Sequence, residues 1–451
     1  MTEAVIADWE RAFADWLAPF LEALGHKVRR RWAPVYVRGL LGPGERKSVQ
    51  PMAARVAPQD NDQLHHFISS PAWKTAPLEA VLAREADRLV GRSDAVLIID
   101  DTALPKKGVH SVGVARQYCG ALGKTANCQC LVSLTLARHE VPVPVALRLY
   151  LPKEWTQDEA RCAKAGVPRP CRTFRSKGAI ALAELDRLLA AGVRFGCAVA
   201  DAGYGAGATF RRGLAKRVAL WAVGIPKAQT VYSAAVIVTW PDAAPTGRRR
   251  RHGVPNELPM TAEAALAGVS WRQIRWRRGT KRPLTARFAA RRVRVADGPQ
   301  AQNGRRLPGK DEVWLVGERR PGGETKYYLT SHPAETPLKT LAATIKARWA
   351  CEQGHQQMKE ELGLDHFEGR SWAGLHHHAL LTMIAFAFLQ HLRLAQSRKR
   401  GESSRAQPAT PAEPPCHPPR PSRSPRRQHP TAMSQLPAAH HLAQTRMKLP
   451  E

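Results

Sequence analysis

The chain has 451 residues, 43% of them hydrophobic, enough to bury a sizeable core and long enough to predict two or three structural units. Lys and Arg number 69 against 38 Asp and Glu, a formal charge of +31, so the surface field attracts polyanions and nucleic acid is the leading partner. Membrane and secreted classes are excluded on this reading: no apolar run is taken as long enough to span a bilayer, and the N-terminus opens with Glu3, Asp8 and Glu10 where a leader would be basic and then apolar, giving a cytoplasmic type of chain.

Residues 9 to 24 place Trp9, Phe13, Trp16, Leu17, Phe20, Leu21 and Leu24 at helical spacing, and Leu64, Phe67 and Ile68 with the 77 to 90 segment continue it. A small all-helical unit over 1–90 is predicted. Its Lys27, Arg29, Arg30, Arg31, Arg38, Arg46 and Lys47 suit phosphate contact and equally a solvated basic face. From residue 95 the period changes to that of strands. "AVLIID" reads as a buried strand, "CLVSLTLARHEVPVPVALRLYLP" (130–152) as a strand pair, "GAIALAELDRLLAAGV" (178–193) as an amphipathic helix and "RFGCAVAD" (194–201) as another buried strand. "GATFRRGLAKR" then reads as a helix and "ALWAVGI" as a strand, and this order predicts an α/β fold, a mixed sheet with helices on its faces.

Between about 228 and 325 the pattern breaks into short, β-leaning, Arg-laden pieces. Arg272, Arg275, Arg277 and Arg278 interleave with Trp271 and Trp276, a mixture suited to phosphate contact with base stacking, and equally to a half-exposed strand. "YYLTSHP" returns to strand, "PLKTLAATIKARWACEQGHQQMKEELGL" reads as one long helix, and "GLHHHALLTMIAFAFLQHL" as an apolar helix packed beneath it. The last 56 residues, from 396, hold 11 of the 35 prolines and no periodic apolar face, which predicts a disordered tail. Eight cysteines are scattered without a CxxC pair, so Cys128 and Cys130 read as reduced core thiols, and His376 to His378 lack metal-ligand spacing.

The chemistry concentrates in "AVLIIDDTALPKKG" (95–108), where a buried strand runs into two aspartates and then two lysines. Asp101 ends this strand and Asp201, in "CAVADAGYG", ends another; carboxylates at adjacent strand ends repel unless a hard divalent cation lies between them. Glu352 is the candidate third ligand, with Arg348 one turn earlier and Lys359 two turns later on the same helix face. Carboxylates around two Mg²⁺ (or Mn²⁺) ions suit in-line phosphoryl transfer, and Lys106 and Lys107 would face the polyanionic substrate. Taken singly, Asp101 as a turn cap, Asp201 as an Asx turn and Glu352 as an ion-pair partner of Arg348 are the plainer alternatives. Adjacent strand residues point to opposite faces, so only one of Asp100 and Asp101 can meet Asp201. "GYGAGA" (203–208) matches a loose dinucleotide-binding pattern, but the acid expected about twenty residues later is missing, which excludes a dehydrogenase.

Together "LIIDDTALPKKG", "VADAGYG" and "RWACEQGHQQMK" resemble the catalytic set of DDE transposases of bacterial insertion sequences, over about residues 90–395. The resemblance is strongest to the branch whose last acid lies in a helix patterned Y-x2-R-x3-E-x6-K: Arg348, Glu352 and Lys359 fit, and Ile345 stands at the Tyr position. "DDTALPKKGVHSVGVARQYCGALGKTANCQ" and "LGLDHFEGRSWAGLHHHALL" look like the group named after insertion sequence seven-oh-one. The resemblance implies a ribonuclease-H-like core at 91–227 and 326–395, a basic β-rich insertion at 228–325, a DNA-binding helical domain at 1–90 and a tail at 396–451 that matches nothing in the family. It implies cut-and-paste transposition: binding of terminal inverted repeats in double-stranded DNA, cleavage and strand transfer to target DNA, by a homodimer acting in the bacterial cytoplasm on the nucleoid. The family pattern aligns Asp101, not Asp100, with the first acid; Arg348 and Lys359 of its signature helix, with Lys106 and Lys107 beside the first acid and Trp271, Arg275, Trp276 and Arg277 of the Arg-laden segment, are the candidate DNA contacts. The competing readings are a catalytically inactive transposase descendant that binds DNA without cutting it, and a ribonuclease-H-type nuclease or resolvase lacking strand transfer.

Overall fold

The computed structural model describes residues 3–240, 252–278, 283–300 and 304–406. The chain opens with five helices, α1 (Glu3–Leu24), α2 (Lys27–Leu41), α3 (Val49–Val56), α4 (Asn61–Ser69) and α5 (Ala76–Val90). Gly25, at φ +70°, turns the chain between the first two, a conformation glycine adopts without strain. Then follow β1 (Val96–Pro105), β2 (Ala115–Cys119), β3 (Lys124–Arg138), β4 (Val141–Leu149), α6 (Lys153–Thr156), α7 (Glu159–Lys164) and α8 (Lys177–Ala190). The β3–β4 hairpin closes on His139 and Glu140, both at positive φ, the two-residue turn whose twist matches paired strands. β5 (Cys197–Ala200), α9 (Ala202–Gly205), α10 (Ala208–Ala215) and β6 (Trp221–Ile225) complete this half.

The next segment carries β7 (Thr230–Ser233), β8 (Val238–Thr239), β9 (Val254–Pro255), β10 (Met260–Thr261), α11 (Ala262–Ala265), β11 (Arg272–Arg278), β12 (Pro283–Val295), β13 (Glu312–Arg319) and β14 (Thr325–Thr330). α12 (Leu338–Lys346), α13 (Trp349–Glu360) and α14 (Trp372–Ala406) end the described chain. Twelve strands form one mixed sheet in the order β10-β7-β12-β13-β14-β6-β5-β1-β3-β2, with β11 on β12 and β4 on β3. β1 runs parallel to β5 and β5 to β6, whereas β3 is antiparallel to β1 and to β4. The Arg-laden segment therefore continues the same sheet: β14 pairs with the outer edge of β6, which would otherwise expose unpaired backbone groups.

Alternation along β1 and β5 builds two cores. Leu97, Ile99, Ala198 and Ala200 face the side covered by α8, while Ile98 and Val199 face Leu341, Ala342, Ile345, Ala350 and Cys351 of α12 and α13. The N-terminal helices share the first of these cores. Phe13 meets Phe388 of α14 edge-on at 5.5 Å, and Trp16 Nε1 donates to the Ile384 carbonyl at 3.3 Å. Arg148 on β4 pairs with Glu79 of α5 and, at 2.7 Å, with Glu184 of α8.

Three expectations change. The single long helix is two: bonds of the i→i+3 type at Ala350→Ala347 and Cys351→Arg348 break the ladder after Lys346 and re-aim α13. The apolar helix continues through 396–406, because Leu392 and Leu394 still pack on the core and Ala, Arg, Lys and Gln propagate helix; the remainder of the predicted disordered tail, 407–451, lies outside the described residues. Trp372–Arg398 is long and apolar enough by length and composition to cross a bilayer, against the reading that no such run exists, yet 72% of its most apolar stretch is buried inside the protein, as in the central helix of a folded core.

Candidate active site

β1 and β5 pair in parallel as far as Ile99 opposite Ala200, which brings Asp100 and Asp201 side by side where that pairing stops; contrary to expectation, β1 itself does not end at the aspartates but runs on to Pro105 against β3. Both share the parity of Ile98 and Val199, so they emerge on the α13 side of the sheet. The broken ladder before α13 delivers Arg348 and Glu352 to the same place. Arg348 Nη1 donates to Asp100 Oδ2 at 2.5 Å, and its Nη2 donates to Glu352 Oε1. Burial pushes the Asp100 carboxyl up to about 7, opposed by Arg348 and reinforced by the Asp201 and Asp101 charges. Asp201 is raised as well, first by burial. Burial works against the Arg348 charge, but Asp100 and Glu352 outweigh it and raise the guanidinium further.

Asp201 also caps α9, its Oδ1 accepting from Tyr204 N at 3.2 Å, so the Asx-turn alternative and the ligand reading coexist in one side chain. Tyr204 Oη donates to the Asp100 carbonyl at 3.1 Å and ties α9 to the middle of β1. The glycines of "GYG" serve this closeness: a Cβ on Gly205 would stand 2.0 Å from the Gly224 carbonyl of β6.

Asp101, expected as the first metal ligand, lies across the sheet. It has the parity of Leu97 and Ile99, pairs with Lys177 of α8, and accepts from Cys130 Sγ at 3.2 Å. The fallback residue Asp100 shares Arg348 with Glu352 and has the facing of Asp201, although the Asp101 charge also acts on Asp201; the register of β1 against β5 decides the face, and a single sequence does not reveal it.

The predicted cations divide in the same way. Lys359 Nζ donates to the Ala103 carbonyl at 2.9 Å and Lys106 Nζ to the Phe367 carbonyl at 2.6 Å, so both tether α13 and its following loop to β1, and burial lowers the pKa of each. Lys107 and Arg275 are exposed. Trp271 lies under the Arg319 guanidinium at 4.2 Å and Trp276 under Lys346 Nζ at 4.7 Å, so both expected stacking rings are already partnered from within. Arg277 stacks 4.0 Å over Trp349 at the start of α13 and pairs with Glu140 at 2.7 Å, fastening β11 to the signature helix. Ile345, at the Tyr position of the pattern, is buried in the core under α12.

Sequence reasoning missed Lys177 and Tyr204. A signal for the first was present: a lysine at the opening position of a helix opposes the helix dipole, so its placement calls for a partner elsewhere.

Among the described residues no group of three or more His, Cys, Asp or Glu side chains converges tightly enough to define a metal centre, and Arg348 supplies the positive charge that holds Asp100 and Glu352. In donor chemistry the three carboxylates nonetheless suit a hard divalent ion: all three offer anionic oxygens, and Asp100 is buried beside the Asp201 charge, an environment that added positive charge would relieve.

Comparison with known proteins bears on this arrangement. The chain is 30% identical over 195 residues to the probable transposase for insertion sequence element IS701 of Microchaete diplosiphon, a stretch that is 43% of this chain and 48% of that one, so it spans about half the length of the curated relative it matches. The cryo-EM structure of a piggyBac transposase synaptic complex with hairpin DNA aligns with a TM-score of 0.42 at 10% identity, over 88% of this chain and 74% of that one. The DDE superfamily endonuclease family matches residues 19–283, which take in Asp100 and Asp201 on the paired strands β1 and β5 and stop short of Glu352. With more than half of its length in that match, the chain belongs to the DDE superfamily endonucleases.

Proposed function

We propose that this endonuclease is an insertion-sequence transposase that binds the terminal repeats of its element, cleaves DNA at the ends and joins them to target DNA. One observation carries the reading: carboxylates from β1, β5 and α13 meet at one end of the sheet around Arg348. The strand order β4-β3-β1-β5-β6, with β3 antiparallel to its neighbours, supports a ribonuclease-H-like core, with 228–325 as its β-rich insertion and 1–90 as a DNA-binding domain.

In this reading Asp100, Asp201 and Glu352 would hold Mg²⁺ or Mn²⁺, two ions per site, which would supply Lewis-acid activation of the attacking hydroxyl and charge neutralisation at the scissile phosphate. Arg348 sets the spacing between Asp100 and Glu352 and offers a cation to the incoming phosphate. Lys359 and Lys106 act indirectly, by fixing α13 and its loop against β1. Exposed Lys107 and Arg275 meet the DNA backbone, and the net charge of +31 draws the duplex in. Two copies bound to two element ends form a homodimeric complex on the bacterial nucleoid.

The test is Mg²⁺-dependent cleavage of a duplex carrying the element's own end. Asp100→Asn, Asp201→Asn and Glu352→Gln each lower cleavage by about three orders of magnitude while DNA binding persists. A wild-type chain that binds this duplex and never cuts it, with either metal, is the inactive DNA-binding descendant instead.

A further inference from the structure

The end of the sheet that carries the carboxylates has a second flank, on the α8 side, which the proposed chemistry does not use. α8 runs back toward β5, so its N-terminus stands at the same end as Asp100 and Asp201. There the 172–176 loop presents Phe174, 43% exposed, although a phenyl ring gains most by burial. Its surroundings are built rather than loose. Tyr150 meets it edge-on at 6.3 Å, Lys153 Nζ lies 5.3 Å from its centroid, and Lys177 Nζ lies 5.6 Å from the Tyr150 ring while pairing with Asp101. The loop itself is held by Arg172, whose Nε donates to the Val167 carbonyl at 2.9 Å, and by Ser176, whose Oγ accepts from Ala179 N at 3.1 Å. Arg175, next in the chain, is exposed, and its Nη2 donates to the Ala179 carbonyl at 3.2 Å. Lys153 and Lys177 set two cations against the two aromatic rings, with Arg175 exposed on the same loop, facing Asp101, already paired, and the exposed Glu154.

We propose that Phe174, with Tyr150, Lys153, Arg175 and Lys177, is the subsite for an unpaired nucleotide of the DNA strand leaving the active site. Cations take its phosphates and Phe174 stacks against the base, the combination by which proteins hold single strands without reading sequence. A duplex base is already stacked and offers Phe174 no free face, so the subsite acts on strands that have frayed or been released at the cut. The idea rests on the transposase reading and assigns a role that the Trp271 and Trp276 rings, covered by Arg319 and Lys346, do not fill.

The experiment compares the full chain with Phe174→Ala and Phe174→Trp, measuring affinity by fluorescence anisotropy for a blunt duplex and for the same duplex with a frayed, Y-shaped end, at fixed stated salt. The wild type prefers the frayed duplex, Phe174→Ala loses that preference by roughly five- to a hundredfold with blunt-duplex affinity kept, and Phe174→Trp restores it. Circular dichroism melting confirms that both variants are folded, as expected for an exposed ring. A preference unchanged in Phe174→Ala, or absent from the wild type, overturns the subsite. Cleavage by the wild type alongside an unchanged preference sinks the subsite alone, and a Phe174-dependent preference in a chain that never cuts sinks the catalytic reading alone.

Discussion

Asp100 and Asp101 differ by one peptide bond and by the thickness of the sheet. The sequence makes plain that two carboxylates follow a buried run, and strand alternation makes plain that they part company, but that the strand continues past them to Pro105, and which of them shares the face of Asp201, depends on pairing with β3 and β5. The pairing of Asp101 with Lys177 gives it a structural duty on the other face. Asp101→Asn is expected to leave cleavage within about tenfold of wild type and to lower stability by about 1 kcal/mol, the worth of a partly exposed pair, read from urea unfolding. A second residue-scale prediction concerns acid. His378 is buried with Nδ1 accepting from Tyr36 Oη at 2.9 Å and Nε2 facing the Gly363 carbonyl at 3.0 Å, an arrangement for a neutral ring, and burial lowers its pKa to about 4. The unfolded chain takes this proton first, so the contribution of His378 to stability is complete above about pH 6.5 and is lost as the pH falls toward 4. At pH 5 the loss is about 2 kcal/mol, and His378→Gln flattens the dependence of the urea midpoint on pH between 4 and 6.5.

Elements were legible wherever one period held over a long run. The repeats along α1 and α8 and the apolar runs of β1, β5 and β6 are visible in the residues, because each buries one stripe or both faces of a strand. The break between α12 and α13 is not, since Ala347 and Arg348 are good helix formers and the turn is imposed by the docking of Arg348 on Asp100. Nor is the internal stacking of Trp271 and Trp276 visible, because their partners Arg319 and Lys346 are distant in sequence. The contact of α9 with β6 gives the test at this scale. Gly205→Ala puts a methyl group against the Gly224 carbonyl, with the stiff, β-branched Val223 side chain 2.8 Å away on β6, so little can give way. It is expected to cost about 1–3 kcal/mol in urea unfolding and to lower cleavage with it, since α9 carries the Asp201 cap.

Across the whole molecule, the five N-terminal helices fold onto α14 and the sheet, so a unit expected to serve DNA also completes the core. Phe388 is central to this, in contact with Trp9, Phe13 and Trp16. Phe388→Ala is expected to lose about 3–5 kcal/mol and to shift the unfolding of helices and sheet together; separate transitions would show instead that residues 1–90 are an independent body. The account stands most directly on which aspartate holds the divalent ion, and Mn²⁺ titration of the full chain followed by electron paramagnetic resonance decides that without requiring any DNA. The prediction is that wild type and Asp101→Ala bind Mn²⁺ alike while Asp100→Ala, Asp201→Ala and Glu352→Ala lose the site. Binding retained in Asp100→Ala and lost in Asp101→Ala would contradict it and return the first ligand to the far side of the strand.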